Sequence, residues 1–158
     1  MSDFFDNPEA CLKLRQSLES WRGVPFLQYG TSRETGVDCV RFIREVYREC
    51  GIDVGAAAEI PRYSLAWGLH REHSQLLGWL LHNGEARERF RRVDSAEAWM
   101  AGDLLAIRRG QCAHHAGVVD PGLATVWHVD YPAGVVERSR EILLRDCRVV
   151  TVLRLRAP

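Results

Sequence analysis

Cys39 lies in the run Gly36-Val-Asp-Cys-Val-Arg-Phe-Ile-Arg-Glu-Val-Tyr-Arg-Glu-Cys-Gly51, a glycine-bearing loop followed by an amphipathic helical pattern. A thiol in the first turn of a helix meets about half a positive elementary charge and N–H groups without intrahelical partners. Both favour the thiolate, the form of cysteine that attacks carbonyl carbon. His115, in His-His-Ala-Gly-Val-Val, and His128, in Thr-Val-Trp-His-Val-Asp, follow in strand-like segments thirteen residues apart. This order of one cysteine and two histidines suggests a cysteine hydrolase. Such a site needs a cysteine on a helix N-terminus, a histidine on the facing sheet, and a polar group that orients the histidine. Cys39 supplies the first, His115 the second, and His128 the third from a neighbouring strand. Strand alternation sets His128 and Asp130 on one face and Trp127 and Val129 on the other. The backbone N–H of Cys39 would serve in the oxyanion hole.

The elements that must position these groups follow from spacing and breakers. Asn7-Pro8-Glu9 reads as a capped helix start, and Cys11, Leu14, Leu18 and Trp21 repeat at helical spacing behind it. Gly23 to Gly30 breaks that helix, and Thr31 to Gly36 reads as a polar loop. Asp38 caps a second helix whose buried stripe is Cys39, Ile43, Val46, Tyr47 and Cys50, with Gly51 as its stop. Residues 65–81 carry helical spacing, Glu85 to Arg92 reads as a short helix, and Ser95 to Met100 as a single helical turn. The period then changes. Leu104–Arg108, Ala116–Val119, Ala124–Asp130, Val135–Arg138 and Arg148–Arg156 are short β-type runs separated by Gly, Pro and Asp breaks. The pattern predicts an α+β fold, a helical N-terminal half whose nucleophile helix packs on a small antiparallel sheet.

Composition bounds the function. The 158 residues make one domain spanning 1–158, and 46% hydrophobic residues suffice for a core. A formal net charge of zero argues against general affinity for nucleic acid or an anionic membrane. No apolar run approaches the ~20 residues of a membrane span, and Met1 to Pro8 lacks the basic start and apolar stretch of a signal peptide. The chain is therefore expected to be made in the cytoplasm and to need another route to any target outside. Five cysteines at positions 11, 39, 50, 112 and 147 show no Cys-x-x-Cys spacing, so reduced thiols are the default.

The wording of the segments resembles the NlpC-type cell-wall cysteine peptidases, a papain-like family. Members typically carry Gly-x-Pro-Tyr, a glycine-rich loop, and Asp-Cys-Ser-Gly opening a helix. This chain has Gly23-Val-Pro-Phe26, Gly30 to Gly36, and Asp38-Cys39. The family's Pro-Gly-Asp-Leu strand entry appears as Ala101-Gly-Asp-Leu104, its His-Val-Gly-Ile as His115-Ala-Gly-Val118, and its third polar residue as His128. The resemblance covers about residues 18–156. It implies a papain-like NlpC-type fold, catalytic Cys39, His115 and His128, and no metal or organic cofactor. It also implies Phe26, Gln28, Tyr29 and Asp38 as the residues beside the oxyanion and substrate. The implied substrate is a peptidoglycan stem peptide.

The spelling is most similar to the branch encoded with phage tails and gene-transfer agents, through His-Ala-Gly, the absent serine after the cysteine, and Pro61-Arg-Tyr63 with Trp67. That branch implies tail-tip partners, residence in a virion and action at the cell wall. A docking element is then expected in residues 53–94, where Trp67 and Trp79 precede an arginine-rich end. Three departures stand against the family pattern. Phe26 replaces a tyrosine beside the thiol, leaving Gln28 or Tyr29 to substitute; Val40-Arg41 replaces Ser-Gly; and His114 adjoins His115, which is preferred because Ala-Gly-Val follows it. The alternatives are a non-catalytic tail protein that keeps the fold, and an acyltransferase or amidase on the same fold.

Blander assignments cover the remaining reactive side chains. Cys11, Cys50 and Cys147 read as small buried hydrophobes. His70 and His73 read as a solvated helix face, Cys112-x-His114-His115 as no metal cluster, and Arg87, Arg89, Arg91 and Arg92 as a solvated face or partner contact.

Overall fold

The computed structural model describes residues 2–54, 84–94, 96–108 and 113–158, the side chains of 84–86, 113 and 114 excepted. The expected helix over 65–81, the Pro61–Tyr63 loop, Trp67, His70, His73, Trp79 and Cys112 lie outside the described residues. After a short 3-10 turn at Phe4–Asp6, helix α1 runs Pro8–Trp21 with the Asn7 side chain accepting the Glu9 N–H at 2.8 Å. Ala10, Leu14, Ser17, Leu18 and Trp21 form its buried face, while Cys11 is only half-buried. Helix α2, Cys39–Glu49, packs against α1 and the sheet. Being sandwiched, it buries more than the expected stripe: Val40, Phe42 and Glu45 are buried along with Cys39, Ile43, Val46 and Tyr47.

A two-stranded hairpin, β1 (Thr31–Ser32) with β2 (Gly36–Val37), occupies the segment expected to be polar loop. Helix α3 (Gly84–Arg89) leads into β3 (Phe90–Arg92), and the remaining strands are β4 (Leu104–Arg108), β5 (Ala113–Val119), β6 (Thr125–Asp130), β7 (Gly134–Ser139) and β8 (Arg148–Leu155). They form one antiparallel sheet in the order β3-β8-β4-β5-β6-β7. The α+β expectation holds, with α2 lying on β5 and β6. No helix among the described residues is long and apolar enough to cross a membrane.

Two local expectations are corrected by tertiary contacts. The helix expected over Glu85 to Arg92 stops at Arg89, because Phe90 is buried and pairs with Leu155 at the sheet edge. Residues 96–100 form a turn and not a helical one: the Met100 N–H, which a helix would pair with the Ala96 carbonyl, donates to Asp103 Oδ2 at 2.8 Å. Residues 140–146, between the expected strands 135–138 and 148–156, form α4 (Arg140–Asp146), capped by Ser139 and anchored by buried Leu143.

Two apolar layers flank the sheet. The larger joins α1 and α2 to Leu104, Ala116, Val118, Trp127, Val129 and Leu153; the smaller gathers Leu105, Ile107, Val119, Val126 and Leu143 beneath α4. At the sheet entry, Asp103 is fully buried and takes a two-pronged ion pair from Arg154 at 2.7 and 2.8 Å. Tyr47 of α2 donates to the Gly102 carbonyl at 2.8 Å, tying the helix to the same corner. Burial pushes the Cys50 thiol up to about 12, from an ordinary 9.0, and raises Tyr47 well above its usual value.

A raised folded-state value means both groups bind protons more tightly when folded. Their contribution is fully present below pH 9 and is lost as pH rises from about 9 toward 12. Urea midpoints measured between pH 8 and 11 should therefore fall. Cys50→Ala should cost about 1 kcal/mol at pH 8 and make the alkaline decline shallower; an equally steep decline would refute the assignment to Cys50.

Candidate active site

The loop before Cys39 is closed by backbone pairing. Leu27 N–H donates to the Val37 carbonyl at 3.2 Å and Val37 N–H to the Pro25 carbonyl at 3.0 Å. Gly36, at φ 130°, permits this approach, since a Cβ there would lie 2.6 Å from Leu27 Cβ and 2.8 Å from the Pro25 oxygen. The chain then enters α2 through Asp38, whose carboxylate is fully buried. Oδ1 accepts the Arg41 N–H at 2.9 Å, the N-cap bond expected from sequence. Oδ2 accepts the Tyr29 N–H at 2.9 Å and Arg41 Nη1 at 2.6 Å. Cys39 is the first residue of the helix so capped, and it is 6% exposed.

His115 sits on β5 and His128 on β6. Both are buried, and His115 Nε2 lies 2.8 Å from His128 Nδ1, the rings meeting edge to face at 85°. The ladder explains the meeting. Gly117 stands opposite His128, so His115, two residues earlier, is its diagonal neighbour on the same face. A Cβ at Gly117 would come within 2.8 Å of Val126 Cγ1, so the glycine of His-Ala-Gly lets β5 and β6 approach. The β4–β5 ladder skips between the pairs Ile107↔His115 and Arg108↔Ala113. That irregularity passes over position 114 and leaves His115 in register. Trp127 and Val129 join the core beneath α1 and α2, as alternation from His128 requires. One of the two imidazole nitrogens facing each other must carry the proton, so the bond couples the two tautomers.

The structure thus brings His115 to His128, and lays the helix headed by Cys39 against the strands that carry both. Phe26 forms a parallel bridge with Val37, two residues before Cys39, and meets Tyr131 edge-on with ring centroids 5.4 Å apart. Gln28 is half-buried in the turn closed by the Gly30 N–H to the Leu27 carbonyl, at 2.9 Å. Tyr29 in the same turn takes a left-handed φ of 65°, and the Arg41 guanidinium lies 5.1 Å from its ring centre.

The other described thiols lie in different surroundings. Cys50 is held protonated by burial, and Cys11, also raised chiefly by burial, donates to the Phe5 carbonyl at 3.1 Å. Cys147 is half-buried in place of the full burial expected, because it follows the short exposed helix α4. Among the described residues no group of three or more His, Cys, Asp or Glu side chains could hold a metal ion.

Sequence reasoning missed two features. The Asp38–Arg41 pair was legible as opposite charges three residues apart on a helix, yet Arg41 had been weighed only as a bulky departure. Tyr131, 71% exposed on the β6–β7 turn, had no local signal.

The NlpC/P60 family pattern matches residues 23–128, about two thirds of the chain, from the loop before α2 to His128. The chain belongs to the NlpC/P60 family. Its fold agrees. A Staphylococcus aureus Mu50 protein described as similar to lipoprotein of the NLP/P60 family aligns with a TM-score of 0.62 at 18% identity, over 99% of this chain and 44% of that one. The NlpC/p60 domain of the peptidoglycan hydrolase SagA aligns with a TM-score of 0.52 at 17% identity, over 93% and 98% respectively. This NlpC/P60 chain spans less than half the length of the staphylococcal protein. No curated protein matches it.

The histidine pair gives the first test of the site. Proton NMR of the protein near neutral pH should show a downfield ring N–H resonance shared between His115 and His128. His128→Phe should remove it while the fold survives. Persistence of that resonance in the variant would show that the proton bridges some other pair.

Proposed function

We propose that this NlpC/P60 domain is a cysteine peptidase that hydrolyses amide bonds of peptidoglycan stem peptides, with Cys39 as nucleophile, His115 as base and His128 as its orienting partner. The bonded His115–His128 pair, carried on the two strands against which the Cys39 helix packs, supports the reading. Because His115 Nε2 faces His128, the remaining Nδ1 is the nitrogen that would exchange a proton with the thiol. The His115 Nε2–H would donate to His128 Nδ1, which fixes the tautomer and stabilises the imidazolium.

In this mechanism the Cys39 thiolate attacks the amide carbon and the carbonyl π electrons move to oxygen. The oxyanion accepts from the Cys39 backbone N–H at the start of α2. His115 then passes the proton from Nδ1 to the departing amine as the C–N bond breaks, leaving an acyl-thioester. Water, losing a proton to His115, attacks the thioester, and the acid leaves as Sγ is freed. No metal or organic cofactor is called for. Phe26, Gln28, Tyr29 and Asp38 line the same entry to α2, Asp38 as the group that holds the others and Phe26 as an apolar wall. The substrate assignment is supported by family membership and by the likeness to the SagA domain.

We further propose a phage or phage-like tail tip as the setting, with tail proteins as partners. The resemblance of His115-Ala-Gly and of Pro61-Arg-Tyr63 to that branch supports it. The expected docking residues around Trp67 and Trp79 fall outside the described part of the chain.

Cys39→Ala should abolish release of stem-peptide fragments from purified peptidoglycan, as read by mass spectrometry, and still fold, because Asp38 retains the cap. Iodoacetamide near pH 7 should modify Cys39 much faster than Cys50. Continued cleavage by the alanine variant would sink the mechanism. Purified tail particles of the source phage or prophage should contain the polypeptide by mass spectrometry; its absence from them would remove the tail setting and leave the hydrolase reading in place.

A further inference from the structure

The first turn of α2 contains no acidic residue and one arginine, Arg41, whose side chain is 7% exposed. A cation there opposes the helix dipole, which favours anions at this end. Burying a guanidinium also costs solvation that only a close counter-charge repays. Arg41 meets that requirement at Asp38 Oδ2, 2.6 Å away, and lies over the Tyr29 ring. The same carboxylate oxygen accepts the Tyr29 N–H, and Tyr29 keeps a left-handed backbone that a non-glycine residue seldom adopts. A cation placed against the dipole, fully sequestered and adjoining a constrained turn, is poor design for helix stability. It is good design for an anion two residues earlier.

We propose that Arg41 is a positioning residue for Cys39: it cancels the buried Asp38 charge at the head of α2 and pins the Tyr29 turn, so that the thiolate forms beside a neutral pair. The inference rests on the reading of Cys39 as the nucleophile. Asp38 is needed as the cap, but its negative charge sits one residue from the sulfur in a site shielded from water. Like charges on neighbouring groups disfavour one another strongly when solvent is excluded. Arg41 offsets the charge of the cap at 2.6 Å, so that penalty does not fall on the thiolate.

The other charged and titratable groups on the elements around α2 are placed differently. Serine and tryptophan of α1, Ser17 and Trp21, bond Glu49 at the far end of α2, where Arg33 from beside β1 also pairs. Arg44 and Arg48 pair with Glu45 further along the helix. β5 contributes His115, while β6 contributes His128 and also Asp130, which is held by Arg138 at 2.6 Å. Tyr29 in the preceding loop and Glu34 in the β1–β2 turn are further titratable groups before α2.

The test is the pH profile of Cys39 alkylation by iodoacetamide, followed by peptide mass spectrometry, in the wild type and in Arg41→Gln, Arg41→Lys and the double variant Asp38→Asn/Arg41→Gln. Arg41→Gln should displace the profile to higher pH and slow alkylation at pH 7 about tenfold, as one pH unit of displacement implies. Arg41→Lys, which keeps the charge, should recover most of the rate. The double variant, with both charges gone and an asparagine cap in place, should return toward the wild-type profile, which a purely structural role for Arg41 would not produce. Should Arg41→Gln fail to fold, Asp38→Asn alone takes its place and should displace the profile to lower pH. A wild-type profile unchanged by these substitutions overturns the proposal for Arg41. Slow, unprivileged alkylation of Cys39 in the wild type would instead overturn the nucleophile reading itself.

Discussion

The buried carboxylate of Asp38 is the interaction on which the head of α2 depends. It ends the hairpin loop, caps the helix, fixes the Tyr29 turn and pairs with Arg41. An ionised carboxylate taken fully out of water is tolerable only when its lone pairs are met by good donors. Here three donors at 2.6 to 2.9 Å do so. The same satisfaction makes the geometry stiff: displacing any one donor leaves a buried charge short of a partner. Cys39 inherits its place from that rigidity, since it is the residue that follows the cap and opens the first helical turn.

A second buried carboxylate plays the equivalent part on the sheet. Asp103, at the entry to β4, is clamped by Arg154 of β8, and Arg154 also reaches Glu97 and the Ala98 carbonyl. Arg91 of β3 joins the group through Asp3 and Glu97, holding Asp3 and Glu97 below the usual carboxylate range through direct hydrogen bonds. The edge strands β3 and β8 are thereby tied to the start of β4. With β4 set, β5 and β6 take the register that makes His115 and His128 diagonal neighbours. Trp127, next to His128, points to the opposite layer, donating to Asp120 at 3.0 Å under the Arg22 guanidinium. The histidine pair is thus held from both sides of its strand.

Identities of 17 and 18% accompany agreement of fold over nearly the whole chain. Cores tolerate exchange among apolar residues of suitable volume, so little of the sequence need persist for the layers to form. Charged groups taken out of water tolerate less, and in this chain they stand at the junctions: Asp38 before the helix, Asp103 before the sheet. Arg41 is the departure from the family pattern that acquires a physical account from the fold. Phe26 acquires another, since its ring packs against Tyr131 and its backbone bridges to Val37.

By itself the sequence determined what depends on neighbours along the chain. The Asn7 and Asp38 caps, the glycine stop at Gly51 and the change from helical to alternating period are local, and each is found where the residues indicate. The three residues of the proposed site were likewise picked out by type and order alone, a capped cysteine and two strand histidines. What only the tertiary structure decided depends on partners far away in sequence. Phe90 became a strand residue because Leu155 waited at the sheet edge, and the turn at 96–100 did not close as a helix because Asp103 took the Met100 N–H. The meeting of His115 with His128 needed a ladder register that no local pattern encodes, with Gly117 providing the space. Arg41 was visible as a residue but not as half of a buried ion pair. Charge in a sequence has no environment, and burial, which sets the cost and the strength of the pair, exists only once the chain is folded.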